Sequence, residues 1–377
     1  MLQEDLTHKT RPDTVTRKII IAGGGTGGHI FPALAIAAEL KRQLPGVDIL
    51  FVGAKGKMEM EKIPEAGFPI IGLKIAGYNR SSLIKNIGLP LKLIRSFFQV
   101  RSILNSFKPD AVIGVGGYSS FPVLRMAQMQ GIATFIHESN SYPGKSNILL
   151  GKRAVRVFVA SRGMEQYFPP GKTRVVGNPV RKSILHSEVS QKEALRFFGL
   201  QEGKQTILAI GGSLGARSIN EALASHMDQL GKEGLQIIWQ TGKATLAEYQ
   251  GLREGRPYLW VNDFISKMDY AYAAADIIIS RSGGTIYELC VVGKPAVLVP
   301  YPFAAEDHQT ANAMQLVEAD AALIVRDSDA KEHLVEAVIA LAHDETLQQK
   351  LKKNIRDFAI TDSDEVIAKE IIEKLIT

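Results

Sequence analysis

The chain has 377 residues, 45% hydrophobic and 22% charged, which excludes a fibrous or wholly disordered polymer and suits two medium domains. A single cysteine, Cys290, excludes an internal disulfide and a cysteine-cluster metal site. The net charge of +6 favours an anionic partner such as phosphate groups, nucleic acid or an acidic membrane surface.

The opening stretch MLQEDLTHKTRPDTVTRK is polar and lacks the apolar core of a signal peptide, so 1–16 reads as a loose tail. No uninterrupted apolar run reaches spanning length, and the expectation is a cytoplasmic protein that lies on a membrane at most. From Lys18, short β-branched runs alternate with helical segments. KIIIA, DILFVG, AVIGVG, ATFIHE, VRVFVA and TRVVGN read as buried parallel strands, with HIFPALAIAAELKRQL as the first crossover helix. The pattern restarts at Thr206 with TILAIGG, QIIWQTG, LWVNDF, DIIISRS, PAVLVPY and AALIVRD. This alternation predicts an α/β chain of two Rossmann-like, doubly wound parallel-sheet domains facing a cleft. We place the domains at 17–183 and 184–360, with a hinge near Pro179 to Ser190. The amphipathic helix within 361–377 is expected to pack back.

Four glycine turns sit at strand C-termini: Gly23 to His29, Gly114 to Ser120, Gly211 to Arg217 and Ser280 to Thr285. That is the ligand edge of an open α/β sheet, and helix N-termini there attract phosphate. Gly23, Gly25 and Gly28 match a dinucleotide fingerprint, but the second strand ends in Gly53, Ala54 and Lys55, without the ribose-binding carboxylate. A nicotinamide enzyme is therefore set aside. There is no P-loop motif and no metal-ligand spacing, so neither metal nor cofactor is expected.

Six motifs in register carry a resemblance: GGGTGGHIFPALAIA, GVGGYSSFPVL, HESNSYPGKSN, VVGNPVR, GGSLGAR and PYPFAAEDHQTANA. Together they resemble the MurG family of bacterial transferases, from about Lys18 to the C-terminus. The resemblance implies a GT-B fold and inverting transfer of N-acetylglucosamine from UDP-N-acetylglucosamine to undecaprenyl-diphospho-muramoylpentapeptide. That step turns lipid I into lipid II in peptidoglycan synthesis. It also implies donor binding in the second domain, with Ser213 and Arg181 on the diphosphate, Phe264 and Ile265 at the uracil, Glu288 on the ribose and Gln309 on the sugar, near His308 and Asn312. Gly283, Gly284 and Thr285 would meet phosphate, although SRSGGTIYE is one residue shorter than the family's usual turn. Thr26, Gly27, Gly28 and Asn140 would bind the acceptor diphosphate or the leaving group.

Arg181 suits diphosphate because only a guanidinium forks into two parallel bonds, and Glu288 suits two hydroxyl donors. Each has a plainer role open to it: a hinge salt bridge for Arg181, a helix cap for Ser213, core packing for Phe264 and Ile265, a solvated helix position for Glu288. For the base, His29 follows the first glycine turn and Glu138 is its rival, whereas His137 packs. Leu83 to Arg101 mixes basic and apolar residues, as a stretch on an anionic membrane surface would. The partners expected are the donor, the lipid acceptor, the inner face of the membrane and other cell-wall synthesis proteins, and no nucleic acid. A nucleotide-sugar epimerase and a catalytically idle sugar-nucleotide binder remain as alternatives.

Overall fold

A computed structural model describes residues 16–75, 89–212 and 214–376. Ser213, most of the N-terminal tail and the first part of the basic apolar stretch, Leu83 to Ile87 included, lie outside the described residues.

The first lobe is a parallel sheet of seven strands in the order β3-β2-β1-β4-β5-β6-β7. These are β1 (Lys18–Ala22), β2 (Asp48–Ala54), β3 (Ile70–Leu73), β4 (Ala111–Gly114), β5 (Ala133–Glu138), β6 (Arg156–Val159) and β7 (Thr173–Val175). The second lobe has six parallel strands in the order β10-β9-β8-β11-β12-β13. They are β8 (Thr206–Ile210), β9 (Gln236–Gln240), β10 (Leu259–Asn262), β11 (Ile277–Ser280), β12 (Ala296–Leu298) and β13 (Leu323–Ile324). Helices cover both faces of each sheet, so successive residues such as Ile19, Ile20 and Ile21 are all fully buried. A strand covered on both sides reads as a continuous apolar run rather than an alternation. Strand β3 escaped the sequence reading because it has four residues, IIGL, and pairs on one side only.

The strand orders place the ligand edge. In each sheet the first strand lies between the second on one side and the fourth on the other, so a crevice opens between β1 and β4 and another between β8 and β11. All four glycine turns follow these four strands. The glycine pattern and the sheet topology therefore meet at the same two crevices.

The lobes are joined twice. The chain crosses near 176–182 and returns near 357–363, where the crossings are so close that a methyl group on Gly177 would lie 2.8 Å from Ile360 Cβ. The Ser363–Ile376 helix then buries Ile367, Ala368 and Ile371 in the first lobe's core, beside Ile36 and Leu40 of the Gly27–Gln43 helix. The Glu39 carboxylate is buried at this junction. Glu39 accepts from Arg42 at 2.5 Å, Gln43 at 2.8 Å and the hinge residue Lys182 at 2.7 Å. The Arg42 bond, helped by Lys182, holds the Glu39 carboxyl down to about 2.

Because this folded value lies below the unfolded one, the stabilisation is complete above pH ~4.5 and fades as pH falls toward about 2. Arg42 and Lys182 are 59% and 43% exposed, so solvent screening leaves about 1–2 kcal/mol of this at neutral pH. Melting temperature followed from pH 6 to pH 2.5 should fall less steeply in Glu39→Gln than in the parent chain. Parallel curves would show that this carboxylate does not drive acid unfolding.

Candidate functional site

The first glycine turn leaves β1 with Gly23, Gly24 and Gly25 at φ +155°, +137° and +91°. Glycine is required at Gly24 for space as well as dihedral, since a methyl group there would lie 2.4 Å from the Glu59 carboxyl carbon. From Thr26 the chain enters the Gly27–Gln43 helix, which fixes His29 on its first turn. His29 Nδ1 lies 3.2 Å from the Gly24 carbonyl and 3.4 Å from Thr26 Oγ1. A carbonyl only accepts, so the proton sits on Nδ1 and Nε2 is the basic nitrogen. The ring rests on the second turn, where a methyl group on Gly116 would meet Nε2 at 2.8 Å.

Burial pushes the His29 imidazole below its ordinary value, with His308 adding to the fall, while Glu138, the Gly24 carbonyl and Glu59 oppose it. The ring is therefore neutral at pH 7. His137 is buried beneath, bonded to the Gly177 carbonyl at 3.3 Å, and burial brings it down to about 4.

Glu138, the rival base, is engaged from four directions. Oε1 accepts from the Asn140 N–H at 3.1 Å and Asn140 Nδ2 at 3.0 Å, and Oε2 from the Gly144 N–H at 3.2 Å and Asn147 Nδ2 at 2.8 Å. With all its acceptor directions used, this carboxylate organises the loop over 139–147. Asn140 correspondingly turns its amide toward Glu138.

Across the cleft, the turn after β11 leads into the Thr285–Val292 helix. Its tip meets the first turn: a methyl group on Gly284 would lie 3.3 Å from Gly28 Cα. Gly28 thus faces Gly284 across the cleft. Further along that helix, Glu288 takes two bonds from Arg181, at 3.0 and 2.9 Å, and a third from the Tyr272 hydroxyl at 2.8 Å. The Arg181 guanidinium also lies 4.5 Å over the Phe31 ring. The residues expected on diphosphate and ribose hold one another here, in the salt bridge that sequence reading kept open.

The second lobe holds its other expected residues as follows. Ile265 is buried and donates its N–H to Gln240 Oε1 at 3.0 Å, while Gln240 Nε2 donates to the Gly212 carbonyl at 2.8 Å. Phe264 faces Lys62 of the other lobe, 5.9 Å from its ring centre. Gln309 accepts from the Tyr301 N–H at 2.9 Å, with its amide nitrogen toward Gly283. Just before it, Glu306 and Asp307 both hold left-handed backbone, φ 53° and 50°, at a cost of about 1–2 kcal/mol each. Strain of this kind persists where the surroundings over-determine it. Here it starts the His308–Val317 helix.

Sequence reasoning missed Tyr287, Arg281 and Glu59, and expected Asn312 beside the sugar-reading Gln309. Tyr287 donates to the Ser139 carbonyl at 2.9 Å, and Asn312 joins Ser141 N–H to the Ser282 carbonyl at 3.1 and 2.9 Å. These bolt the Glu138 loop to the turn after β11, so Asn312 is committed to joining the lobes. Arg281 donates to the Val299 and Pro300 carbonyls just after β12, to Asp327 beyond β13 and to Ser218 on the Arg217–Ser225 helix. Nothing in the spacing of these residues signals such contacts. Glu59, buried behind the first turn, was missed for the same reason.

Residues 19–159 match the glycosyltransferase family 28 N-terminal domain, and 206–371 its C-terminal domain. A relative from Phocaeicola vulgatus is 50% identical over 361 residues, covering 94% of this chain and 96% of its own length. One from Cytophaga hutchinsonii is 46% identical, covering 97% and 99%. Both are named UDP-N-acetylglucosamine–N-acetylmuramyl-(pentapeptide) pyrophosphoryl-undecaprenol N-acetylglucosamine transferase. The crystal structure of Acinetobacter baumannii MurG superposes with a TM-score of 0.74 at 30% identity, covering 95% of this chain and 99% of that one. A Neisseria meningitidis UDP-GlcNAc 2-epimerase shares the fold, with a TM-score of 0.70 at 15% identity.

Proposed function

The chain belongs to glycosyltransferase family 28, and from that premise and the geometry of the cleft we propose that it converts lipid I to lipid II. It transfers N-acetylglucosamine from UDP-N-acetylglucosamine to the muramoyl 4-hydroxyl of undecaprenyl-diphospho-muramoylpentapeptide. One observation carries the mechanism: His29, next in the chain to the Gly28–Gly284 contact between the lobes, holds Nδ1 on the Gly24 carbonyl and so leaves Nε2 as its basic nitrogen.

In this reading His29 Nε2 takes the proton of the acceptor hydroxyl as its oxygen attacks the anomeric carbon. The bond from that carbon to the diphosphate oxygen breaks, and UDP leaves with the electron pair. Amides at Gly283, Gly284 and Thr285, the Ser213 turn and Arg181 take up the developing charge. Thr26 to Gly28 and Asn140 hold the acceptor diphosphate. Glu138 keeps the acceptor loop in shape and is not the base.

Donor binding exchanges partners: ribose hydroxyls compete for Glu288, and the diphosphate competes for Arg181. The uracil lies by Phe264 and Ile265, whose N–H must leave Gln240, and Gln309 reads the sugar. Since the tips of the two turns touch, the lobes part about the hinge to admit substrate.

Among the described residues no helix is long and apolar enough to cross a membrane. The Leu89–Phe107 helix exposes Ile94 at 53% and Phe98 at 69% beside exposed Lys92, Arg95 and Arg101. That mixture supports peripheral attachment to the anionic cytoplasmic face of the membrane, where the lipid acceptor lies and other cell-wall synthesis proteins gather.

Radiolabelled UDP-N-acetylglucosamine incubated with lipid I should give labelled lipid, and none without it. An epimerised nucleotide sugar in place of labelled lipid would mean an epimerase. Bound nucleotide with neither product would mean an idle binder.

A further inference from the structure

Glu59 opens the short Glu59–Glu65 helix and its side chain is wholly buried. Its carboxylate lies directly behind the first glycine turn. Oε2 accepts the Gly25 N–H at 2.8 Å, and Oε1 accepts the Ala54 N–H at the end of β2 at 2.9 Å. Both neighbouring glycines are shaped around it, since a methyl group on Gly24 or Gly53 would lie 2.4 or 2.6 Å from its side chain. Burying a carboxylate is costly, and two amide bonds offset that cost only while the turn keeps this path.

We propose that Glu59 is a positioning residue for the acceptor half of the site, fixing the turn from behind so that the Gly24 carbonyl holds the His29 ring. This rests on the lipid I reading and adds to it the group that presets the base. The link is short. Glu59 grips Gly25, the adjoining Gly24 carbonyl receives Nδ1–H, and Nε2 is thereby aimed.

The charge acts as well as the shape. The ionisable groups around His29 are Glu138 and His137 from β5, His308 from the other lobe and Glu59, of which the two carboxylates favour its protonated form. Removing one negative charge lowers the basicity of His29, so the acid limb of the pH profile moves to lower pH.

Glu59→Gln keeps the reach and loses the charge, whereas Glu59→Asp keeps the charge and cannot reach both amides. With the full chain, UDP-N-acetylglucosamine and lipid I, kcat should fall about 10- to 100-fold in each variant. The acid limb of kcat/KM for lipid I should shift downward in Glu59→Gln and stay in place in Glu59→Asp. The donor Kd, measured by calorimetry with UDP-N-acetylglucosamine alone, should be unchanged in both, because that ligand sits on the other lobe and reports an intact fold. Unchanged kcat in both variants would overturn the proposal. So would lost donor binding, or an acid limb that stays put in Glu59→Gln. Failure of the underlying reading is distinct, because the parent chain would then transfer nothing to lipid I.

Discussion

Replacing His29 with alanine is expected to lower kcat by about 10²- to 10⁴-fold and to leave the Kd for UDP-N-acetylglucosamine unchanged. The range is that of a positioned general base. The direction follows from the tautomer: the Gly24 carbonyl holds the proton on Nδ1, so Nε2 is available without prior deprotonation. Burial, the largest influence on the ring, keeps it neutral at working pH despite the opposing carboxylates. In the parent chain, activity should rise through a pKa below the ordinary 6.5 and stay level above it. That acid limb should vanish in His29→Ala. Glu138→Gln is the informative companion, since it exchanges one acceptor oxygen for an amide facing the donors of Asn140 or of Gly144 and Asn147. It should melt earlier and raise KM for lipid I, and the His29 acid limb should persist at a lower pH, because a carboxylate that favours the charged ring is lost. Near-parent turnover in His29→Ala would remove His29 from the chemistry.

The second large effect is expected at Glu288. Glu288→Ala should weaken donor binding about 100-fold and destabilise the fold by about 2 kcal/mol. The carboxylate receives three bonds, two from Arg181 and one from Tyr272. Removing one partner of a fully buried pair costs about 3–5 kcal/mol. The side chains here are 22% and 13% exposed, which lowers the figure. In donor binding the ribose loses its two-lone-pair acceptor, and hydrogen-bonding sites discriminate strongly when a buried polar group is left unpaired. A double-mutant cycle separates the two effects. Arg181→Ala with Glu288→Ala should destabilise by less than the sum of the single changes, because the pair is then absent rather than broken. Additive stabilities would mean that the two side chains do not support one another in solution. Unchanged donor affinity in Glu288→Ala would move the ribose elsewhere.

These predictions depend unequally on sequence and structure. The β-branched runs KIIIA and TILAI declare buried parallel strands on their own, because burial on both faces demands apolar side chains at every position. The glycine turns are equally legible, since left-handed backbone and close approach exclude side chains locally. His29 stands out by following such a turn directly. Strand β3 shows the limit, being four residues long and lacking a pattern that separates it from a loop.

The relations among these residues were not legible. Arg181 and Glu288 are 107 positions apart, Tyr287 and Ser139 are 148, and Asn312 and Ser141 are 171. Two doubly wound lobes, the sheet edges that carry the glycine turns and the histidine beside one of them are written in the residues alone, because strand burial, turn dihedrals and helix starts are short-range properties. Only the tertiary structure decided that Glu138 supports a loop, that Glu59 lies behind the turn and that Arg181 rests on Glu288. Those assignments follow from how the two lobes dock and which donors then reach each carboxylate, and no local periodicity encodes that.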